Sequence, residues 1–117
     1  MTTGNVMSTE AVLGRHIQAL MSRDLDTIMK DYTNNSVVFT PNGAVTGLEG
    51  IRAGFAGILG ILTPEVLKNL KLMKQDISGE YAYILWSAAP VVPFGGDTFH
   101  IHNGKIVVQS FVGQMGP

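Results

Sequence analysis

Asp97 is the residue with the clearest chemical potential, because it is a carboxylate on a strand face that is otherwise apolar. Residues 97–102 alternate in character, and Asn103-Gly104, a dipeptide typical of a type I′ hairpin turn, follows them. Pairing across that turn puts Asp97 opposite Ser110, on a face made of Asp97, Phe99, Ile101, Ile106, Val108, Ser110 and Val112. A carboxylate there must be hydrogen-bonded, paired with a charge or kept protonated through a raised pKa. Such carboxylates are common in active sites; the alternative is a structural Asp capped by neighbouring backbone N–H groups.

His16 is a second group that could transfer protons. It lies on the apolar face of the first predicted helix, between Val12 and Leu20, where a histidine is either a core residue or faces a pocket. If His16 approaches Asp97, an ionised Asp97 would orient the imidazole and raise its basicity, whereas a protonated Asp97 would itself donate to a substrate carbonyl. The sequence leaves both arrangements open. The apolar neighbours assigned to Asp97 favour a raised pKa of its carboxyl group.

His100 and His102 lie two residues apart on the other face of the same strand, a spacing that two metal ligands could share. With Phe99 they are similar to the His-x-His of a cupin. No Glu follows between Asn103 and Pro117, however, and no second histidine motif is present. We therefore interpret them as solvated or interface histidines and predict no metal site.

Several aromatic side chains could line a pocket for a flat or apolar ligand. They are Tyr32, Phe39, Phe55, Trp86, Phe99 and Phe111. Trp86 is the strongest candidate, because an indole N–H needs a hydrogen-bond partner when it is buried.

The composition excludes several classes of function. With 117 residues the chain is expected to form one domain, residues 1–7 being a flexible N-terminus. A net charge of −1 gives no basic patch for nucleic acid or membranes, and the lack of cysteine excludes disulfides and thiolate chemistry. The polar first residues lack the features of a signal peptide, and the most apolar run, 51–62, is too short to span a bilayer. We expect a cytoplasmic protein without a cofactor.

Capping residues and apolar spacing predict three helices. Ser8 caps a helix that runs to about Arg23, and Asp24 caps a second helix that reaches Tyr32. Thr46-Gly47-Leu48-Glu49 fits the capping-box pattern and opens a third helix to about Leu62. Gly50, Gly54, Gly57 and Gly60 lie along one side of this helix, which favours tight packing on a sheet.

The remaining segments predict strands over residues 36–40, 67–77 and 81–89, with a break at residues 90–96 before the Asp97 hairpin. Both faces of the 81–89 strand are apolar, since Tyr81 and Tyr83 alternate with Ile84 and Trp86. Three helices can cover only one face of such a sheet, so a second copy of the chain is expected on the other. The pattern indicates an α+β domain: three helices on a strongly curved, mostly antiparallel mixed sheet that forms a cone with an internal pocket.

With these elements in place, the chain resembles the nuclear transport factor 2-like, or cystatin-like, α+β cone superfamily, and within it the SnoaL-like and ketosteroid-isomerase-like proteins. The resemblance covers almost the whole chain. The matching segments are residues 15–20, 24–26, 36–41, 50–52, 97–99 and 104–107.

The resemblance also implies site residues. Ketosteroid isomerase uses an Asp general base and an oxyanion hole formed by a Tyr and a protonated Asp. Asp97 matches the oxyanion-hole Asp, His16 stands at the Tyr position, Thr40 at the general-base position and Phe55 at that of a supporting Tyr. Because Thr40 cannot act as a base at neutral pH, steroid isomerisation is not expected.

The resemblance implies cofactor-free proton transfer on a small, largely apolar molecule, of the isomerase, cyclase or dehydratase type. His16 and Asp97 would be the acid and base groups, and Thr40 a polar positioning residue. The predicted substrate-binding residues are Trp86, Phe55, Phe99, Tyr32 and Val108. The alternative is a non-catalytic ligand-binding or dimeric assembly module of the same fold.

Overall fold

The computed structural model describes residues 7–116, so the flexible N-terminus expected for residues 1–7 falls, apart from Met7, outside the described residues. Helices α1 to α4 span Thr9–Ser22, Leu25–Met29, Leu48–Ile61 and Pro64–Leu67. Strands β1 to β6 span Val37–Thr40, Gly43–Thr46, Lys71–Ser78, Tyr81–Ala88, Val92–His102 and Lys105–Gln114.

The six strands form one mixed sheet in the order β2-β1-β6-β5-β4-β3. β1 runs parallel to β6, and all other neighbours are antiparallel. The sheet is open, with β2 and β3 at its edges. The predicted α+β architecture of helices on a mostly antiparallel mixed sheet is confirmed. Strand β2 and the single-turn helix α4 were not predicted.

The first two helices begin where their caps predict. The Ser8 hydroxyl accepts a hydrogen bond from the backbone N–H of Ala11, and the Asp24 carboxylate accepts one from that of Thr27. Helix α2 ends at Met29 rather than at Tyr32. Tyr32 still reaches the core, because tighter i→i−3 hydrogen bonds continue the chain through Lys30, Asp31 and Tyr32.

The capping box predicted for α3 is wrong. Thr46 is the last residue of β2 and pairs with Val37, so its backbone is extended, and the N-cap is Gly47 at φ 90° without a side-chain cap. The first N–H of the helix, that of Leu48, instead donates to the Asn34 side chain at 3.4 Å. A residue distant in sequence therefore replaces the local cap.

The third helix also packs differently from the prediction. Only at Gly50 would an added Cβ meet a neighbour closely, the Val45 Cγ1 atom at 2.9 Å. The corresponding positions at Gly54, Gly57 and Gly60 have no atom within 4 Å. The expectation that the glycines pack against the sheet is thus wrong for these three: Gly57 and Gly60 lie on the exposed side of the helix, and Gly54 borders an open cavity.

Strand β5 is longer than predicted, since it runs without a break from Val92 to His102 and includes Gly95 and Gly96. Pro93 is tolerated because it lies at the beginning of the strand. The break predicted for residues 90–96 is therefore confined to the turn before Val92.

A β-bulge changes the register of the Asn103-Gly104 hairpin. Ile101 pairs with Ile106 as predicted, but His100 pairs with Val108, so Val107 is an extra residue in β6. Asp97 consequently lies opposite Phe111, and the predicted pairing with Ser110 is wrong. Because a one-residue shift moves each following side chain to the other face, Gln109 becomes buried.

The helices cover one face of the sheet, as the alternation along β4 predicts. Ala82, Ile84 and Trp86 are buried beneath the helices, whereas the Tyr81 and Tyr83 side chains are exposed on the opposite face. Among residues 7–116, no helix combines the length and the apolar character needed to cross a membrane.

Candidate active site

A cavity of about 110 Å³ lies between the sheet and the helices α1 and α3. Its wall is almost entirely apolar, with polar groups from only a few residues. Its lining side chains include His16, Ile17, Leu20, Val38, Thr40, Val45, Ile51, Phe55, Ile58, Leu62, Leu67, Leu70, Leu72, Ile84, Trp86, Asp97, Phe99, Gln109 and Phe111. Polar chemistry in this cavity is therefore limited to a few groups, which are Asp97, His16, Gln109, Thr40 and the Trp86 N–H.

Asp97 lines this cavity and is only 7% exposed. Each carboxylate oxygen accepts one hydrogen bond: Oδ1 from Trp86 Nε1 at 2.8 Å and Oδ2 from Gln109 Nε2 at 2.8 Å. Burial raises the pKa of Asp97 to about 6, although the bonds from Trp86 and Gln109 oppose the rise. The predicted raised pKa is confirmed, and its value gives the carboxyl group both protonation states near neutral pH.

Trp86 is brought to Asp97 by the glycine opposite it on β5. Gly95 pairs with Trp86, and a Cβ atom at position 95 would lie 2.2 Å from the indole Cζ2. Only glycine leaves room for the ring to lie across the neighbouring backbone. The hydrogen-bond partner that the sequence requires for the buried Trp86 N–H is thus Asp97.

Gln109 is a site residue that the sequence did not reveal, because the predicted register placed it on the outer face. Its amide donates to Asp97, and its carbonyl oxygen accepts a hydrogen bond from the Tyr32 hydroxyl. Burial, followed by the charges of Asp97 and Asp31, raises the pKa of Tyr32 well above its usual value, so the phenol stays a neutral donor. The hydrogen-bonded chain Tyr32–Gln109–Asp97 holds the carboxylate in the cavity wall.

His16 is buried at the cavity wall and packed edge-on against Tyr32, Phe55 and Phe99, with ring centroids 5.6 to 6.0 Å apart. Burial lowers the pKa of His16 to about 4, so the imidazole is neutral at physiological pH. Across the described residues, no hydrogen bond or ion pair joins His16 to Asp97. The predicted pairing of the two groups is therefore not formed, although both line one cavity.

The carboxylate near His16 is Asp31, which sequence reasoning missed. Asp31 Oδ2 lies 3.9 Å from His16 Nδ1, and Asp31 Oδ1 accepts a hydrogen bond from Arg15 Nε at 2.7 Å. Burial raises the pKa of Asp31, while the charge and hydrogen bond of Arg15 act in the opposite direction. The sequence shows that Arg15 and His16 are neighbours in α1, but it does not indicate that the Asp31 carboxylate lies beside them.

Only some of the other predicted site residues line the cavity. Phe55 and Phe99 line the cavity, and so does Thr40, whose hydroxyl donates to the backbone carbonyl of Gly43 at 2.9 Å. Tyr32 acts through Gln109 rather than lining the cavity, and the bulge turns Val108 away from it.

His100 and His102 lie on the opposite face of the sheet, where each ring contacts one oxygen of Glu80 at 2.9 Å. Tyr81 stacks on the His100 ring with centroids 4.5 Å apart. Within residues 7–116, no group of three or more histidine and carboxylate side chains is arranged to hold a metal ion. The histidines form a surface cluster with Glu80.

Comparisons with known proteins identify solved structures that have a similar fold. No family model and no curated protein sequence matches the chain. Among solved structures, a SnoaL-like protein of unknown function from Burkholderia thailandensis is 16% identical, with a TM-score of 0.74 over 97% of this chain and 98% of that one. A cystatin-fold protein from Novosphingobium aromaticivorans is 18% identical, with a TM-score of 0.71 over 91% and 98%.

A candidate polyketide cyclase from Sinorhizobium meliloti is also similar, at 14% identity and a TM-score of 0.70 over 91% of this chain and 100% of that one. At this level of identity the likeness concerns the fold. The protein has the nuclear transport factor 2-like, or cystatin-like, α+β fold shared by SnoaL-like proteins. The resemblance predicted from the sequence is confirmed as a similarity of fold.

Proposed function

We propose that this protein binds a small, largely apolar molecule in the cavity and transfers a proton on it through Asp97, without a cofactor. The reaction would be of the isomerase, cyclase or dehydratase type. The observation that carries the proposal is a carboxylate held by two hydrogen bonds in an apolar cavity, with a pKa of about 6. A general acid or base is most effective when its pKa lies near the working pH.

The cavity limits the substrate to a small molecule of no more than about one ring. Its volume is about 110 Å³, which is below the ~150 Å³ of an apolar protein cavity that binds benzene. Among proteins of the same fold, one is a candidate polyketide cyclase and another, TerC, was co-crystallized with polyporic acid. These neighbours support a small-molecule function for a protein of this fold.

Asp97 would be the acid–base group and His16 a neutral hydrogen-bonding group, because its lowered pKa removes the charged form. Thr40 would position the substrate at the β1 side of the cavity. The aromatic walls from Phe55, Trp86 and Phe99 would hold a flat ring.

A ligand carrier without chemistry is the second candidate. It is favoured by the fact that both oxygens of Asp97 already accept hydrogen bonds from the protein. Such a carboxylate could serve only to orient a bound molecule.

The conversion of cyclohex-3-en-1-one to its conjugated isomer in D₂O tests the proposal, with deuterium incorporation followed by NMR. Asp97→Asn keeps the shape of the side chain and should lower the rate by at least ~100-fold, since it removes the transferable proton. Asp26→Asn, at an exposed carboxylate of α2, is the matched control and should keep the wild-type rate. Equal rates for wild type and Asp97→Asn, with NMR shifts showing that the ketone binds, would favour the ligand carrier.

We also propose that two copies of the chain pair through the sheet face opposite the helices. The supporting observation is a set of exposed apolar side chains on that face, which we call the outer face; they are Tyr81, Tyr83, Phe94 and Val112. A contiguous exposed apolar area of this kind is typical of an interface between proteins.

A further inference from the structure

His16 Nδ1 and Asp31 Oδ2 are the buried polar side-chain atoms of residues 7–116 that have no hydrogen-bond partner. They face each other at 3.9 Å. Buried polar groups are nearly always paired, and an unpaired one requires an explanation. Because these two unpaired atoms lie opposite each other, each is the candidate hydrogen-bond partner of the other.

The Asp31 carboxylate is held so that one oxygen is left for His16. Arg15 Nε donates to Oδ1 at 2.7 Å, and Arg15 is itself anchored by a bond from Nη2 to the carbonyl oxygen of Gly104 at 3.0 Å. This arrangement fixes the plane of the carboxylate and directs Oδ2 at the imidazole. A movement of about 1 Å would bring Oδ2 and Nδ1 to ordinary hydrogen-bond distance, and such bonds often tighten when a ligand binds.

The other ring nitrogen, Nε2, has no protein partner among the described residues and is not one of the enclosed atoms. Because His16 lines the cavity, this is the edge of the ring that a ligand can reach. Which ring nitrogen carries the proton is set by the hydrogen bond made by the other nitrogen. Asp31 therefore decides how His16 meets a ligand.

We propose that Asp31 accepts the Nδ1–H of neutral His16, so that Nε2 presents a lone pair to the cavity and selects ring-sized molecules bearing a hydroxyl group, such as phenols or enols. Asp31 is in this view a positioning residue, and His16 the residue that determines specificity. The inference rests on the proposed use of the cavity as a binding site and adds the substrate class.

The arrangement reverses the role that the resemblance implies for this position. A Tyr at position 16 would donate a hydrogen bond to a carbonyl oxygen, whereas His16 with a protonated Nδ1 accepts one from a hydroxyl. The charges near Asp31 support this assignment. Burial raises the pKa of Asp31, but the charge and hydrogen bond of Arg15 act against that rise and favour the ionised carboxylate, which can only accept the hydrogen bond.

Long-range ¹H–¹⁵N spectra of wild-type protein at neutral pH test the tautomer directly. The expected result is a protonated Nδ1 and an unprotonated Nε2 in His16. In Asp31→Asn the amide can donate to Nδ1, which should move the proton to Nε2, as an Asp-to-Asn change does in the Ser-His-Asp triad. Asp26→Asn, the same substitution at an exposed site of α2, should leave the spectrum unchanged.

Titration with phenol and with toluene, which have similar size, tests the selection. Wild type should bind phenol up to ~10-fold more tightly than toluene, as expected for one net hydrogen bond. Asp31→Asn should lose that preference. A wild-type His16 protonated at Nε2, or no preference for phenol in the wild type, would overturn the inference, and neither measurement requires that Asp31→Asn folds. Equal ketone-isomerisation rates for wild type and Asp97→Asn would overturn only the proposed proton transfer and leave this inference standing.

Discussion

Asp97 and His16 line one cavity, yet burial moves their pKa values in opposite directions. The pKa of Asp97 rises to about 6 and that of His16 falls to about 4. The common cause is that the charged form loses its hydration in an apolar environment, which is the anion for Asp and the cation for His. The cavity wall thus holds both a carboxyl group that titrates near pH 6 and an imidazole that is neutral at physiological pH.

The opposite pKa shifts of Asp97 and His16 predict how the stability of the protein depends on pH. The raised pKa of Asp97 makes a contribution that is present below pH 4 and is lost as the pH rises to about 6. The lowered pKa of His16 makes a contribution that is present above its ordinary pKa and is lost as the pH falls towards 4. As the pH rises, Asp97 therefore lowers the free energy of unfolding of the wild type and His16 raises it. Asp97→Asn lacks the first effect, so its free energy of unfolding should increase by about 2 kcal/mol relative to wild type between pH 4 and pH 7.

Urea unfolding at pH 4, 5, 6 and 7 measures this difference. His16→Phe, which keeps an aromatic ring among the other rings, is the matched variant and should show a difference of the opposite sign. Parallel stability profiles for wild type and both variants would contradict the assignment of the shifts to burial.

Helix α3 forms one wall of the cavity and carries an exposed row of glycines. The positions of Gly54, Gly57 and Gly60 leave open space where a Cβ would lie, whereas Gly50 lies close to Val45. The helix therefore gives up conformational stability at three positions without gaining contact there, because glycine is a poor helix former.

Gly57→Ala is accordingly predicted to stabilise the protein by about 0.5–1 kcal/mol, since alanine lowers the entropy of the unfolded chain and meets no neighbour. Denaturant unfolding gives the change directly. Gly50→Ala is the control and should show no such gain, because its Cβ would lie 2.9 Å from Val45 Cγ1. Equal gains at both positions would mean that β2 and α3 pack less tightly than the structure shows.

The protein as a whole is a two-layer structure whose helices shield one face of the sheet. The cavity lies in the shielded layer, and the outer face exposes Tyr81 and Val112 by more than half of their surface. A second copy on the outer face would bury these side chains without obstructing the cavity. Closed two-fold dimers are the commonest way in which such a face is covered.

Sedimentation equilibrium at micromolar concentration is expected to show a dimer. Val112→Lys places a charge on the outer face and should shift the protein to monomer, because an unpaired buried charge is costly. Ala56→Lys, on the exposed surface of α3, should leave the dimer intact. A wild-type protein that stays monomeric at these concentrations would refute the proposed pairing.

Local patterns in the sequence determined much of the fold. The Ser8 and Asp24 caps, the alternation along β4 and the Asn103-Gly104 turn all depend on residues within a few positions of one another, and all are found in the structure. The position of Asp97 on the apolar face and the raised pKa of its carboxyl group follow from the same alternation.

Tertiary structure alone decided which partners surround the predicted site residues. The bulge at Val107 turns Gln109 inward, Gly95 makes room for Trp86, and Asp31 lies beside His16 in place of Asp97. Each depends on which distant segments come into contact, and a register shift of one residue exchanges the two faces of a strand. Local propensity carries no information about such contacts, because their free energy comes from packing between segments that are far apart in sequence.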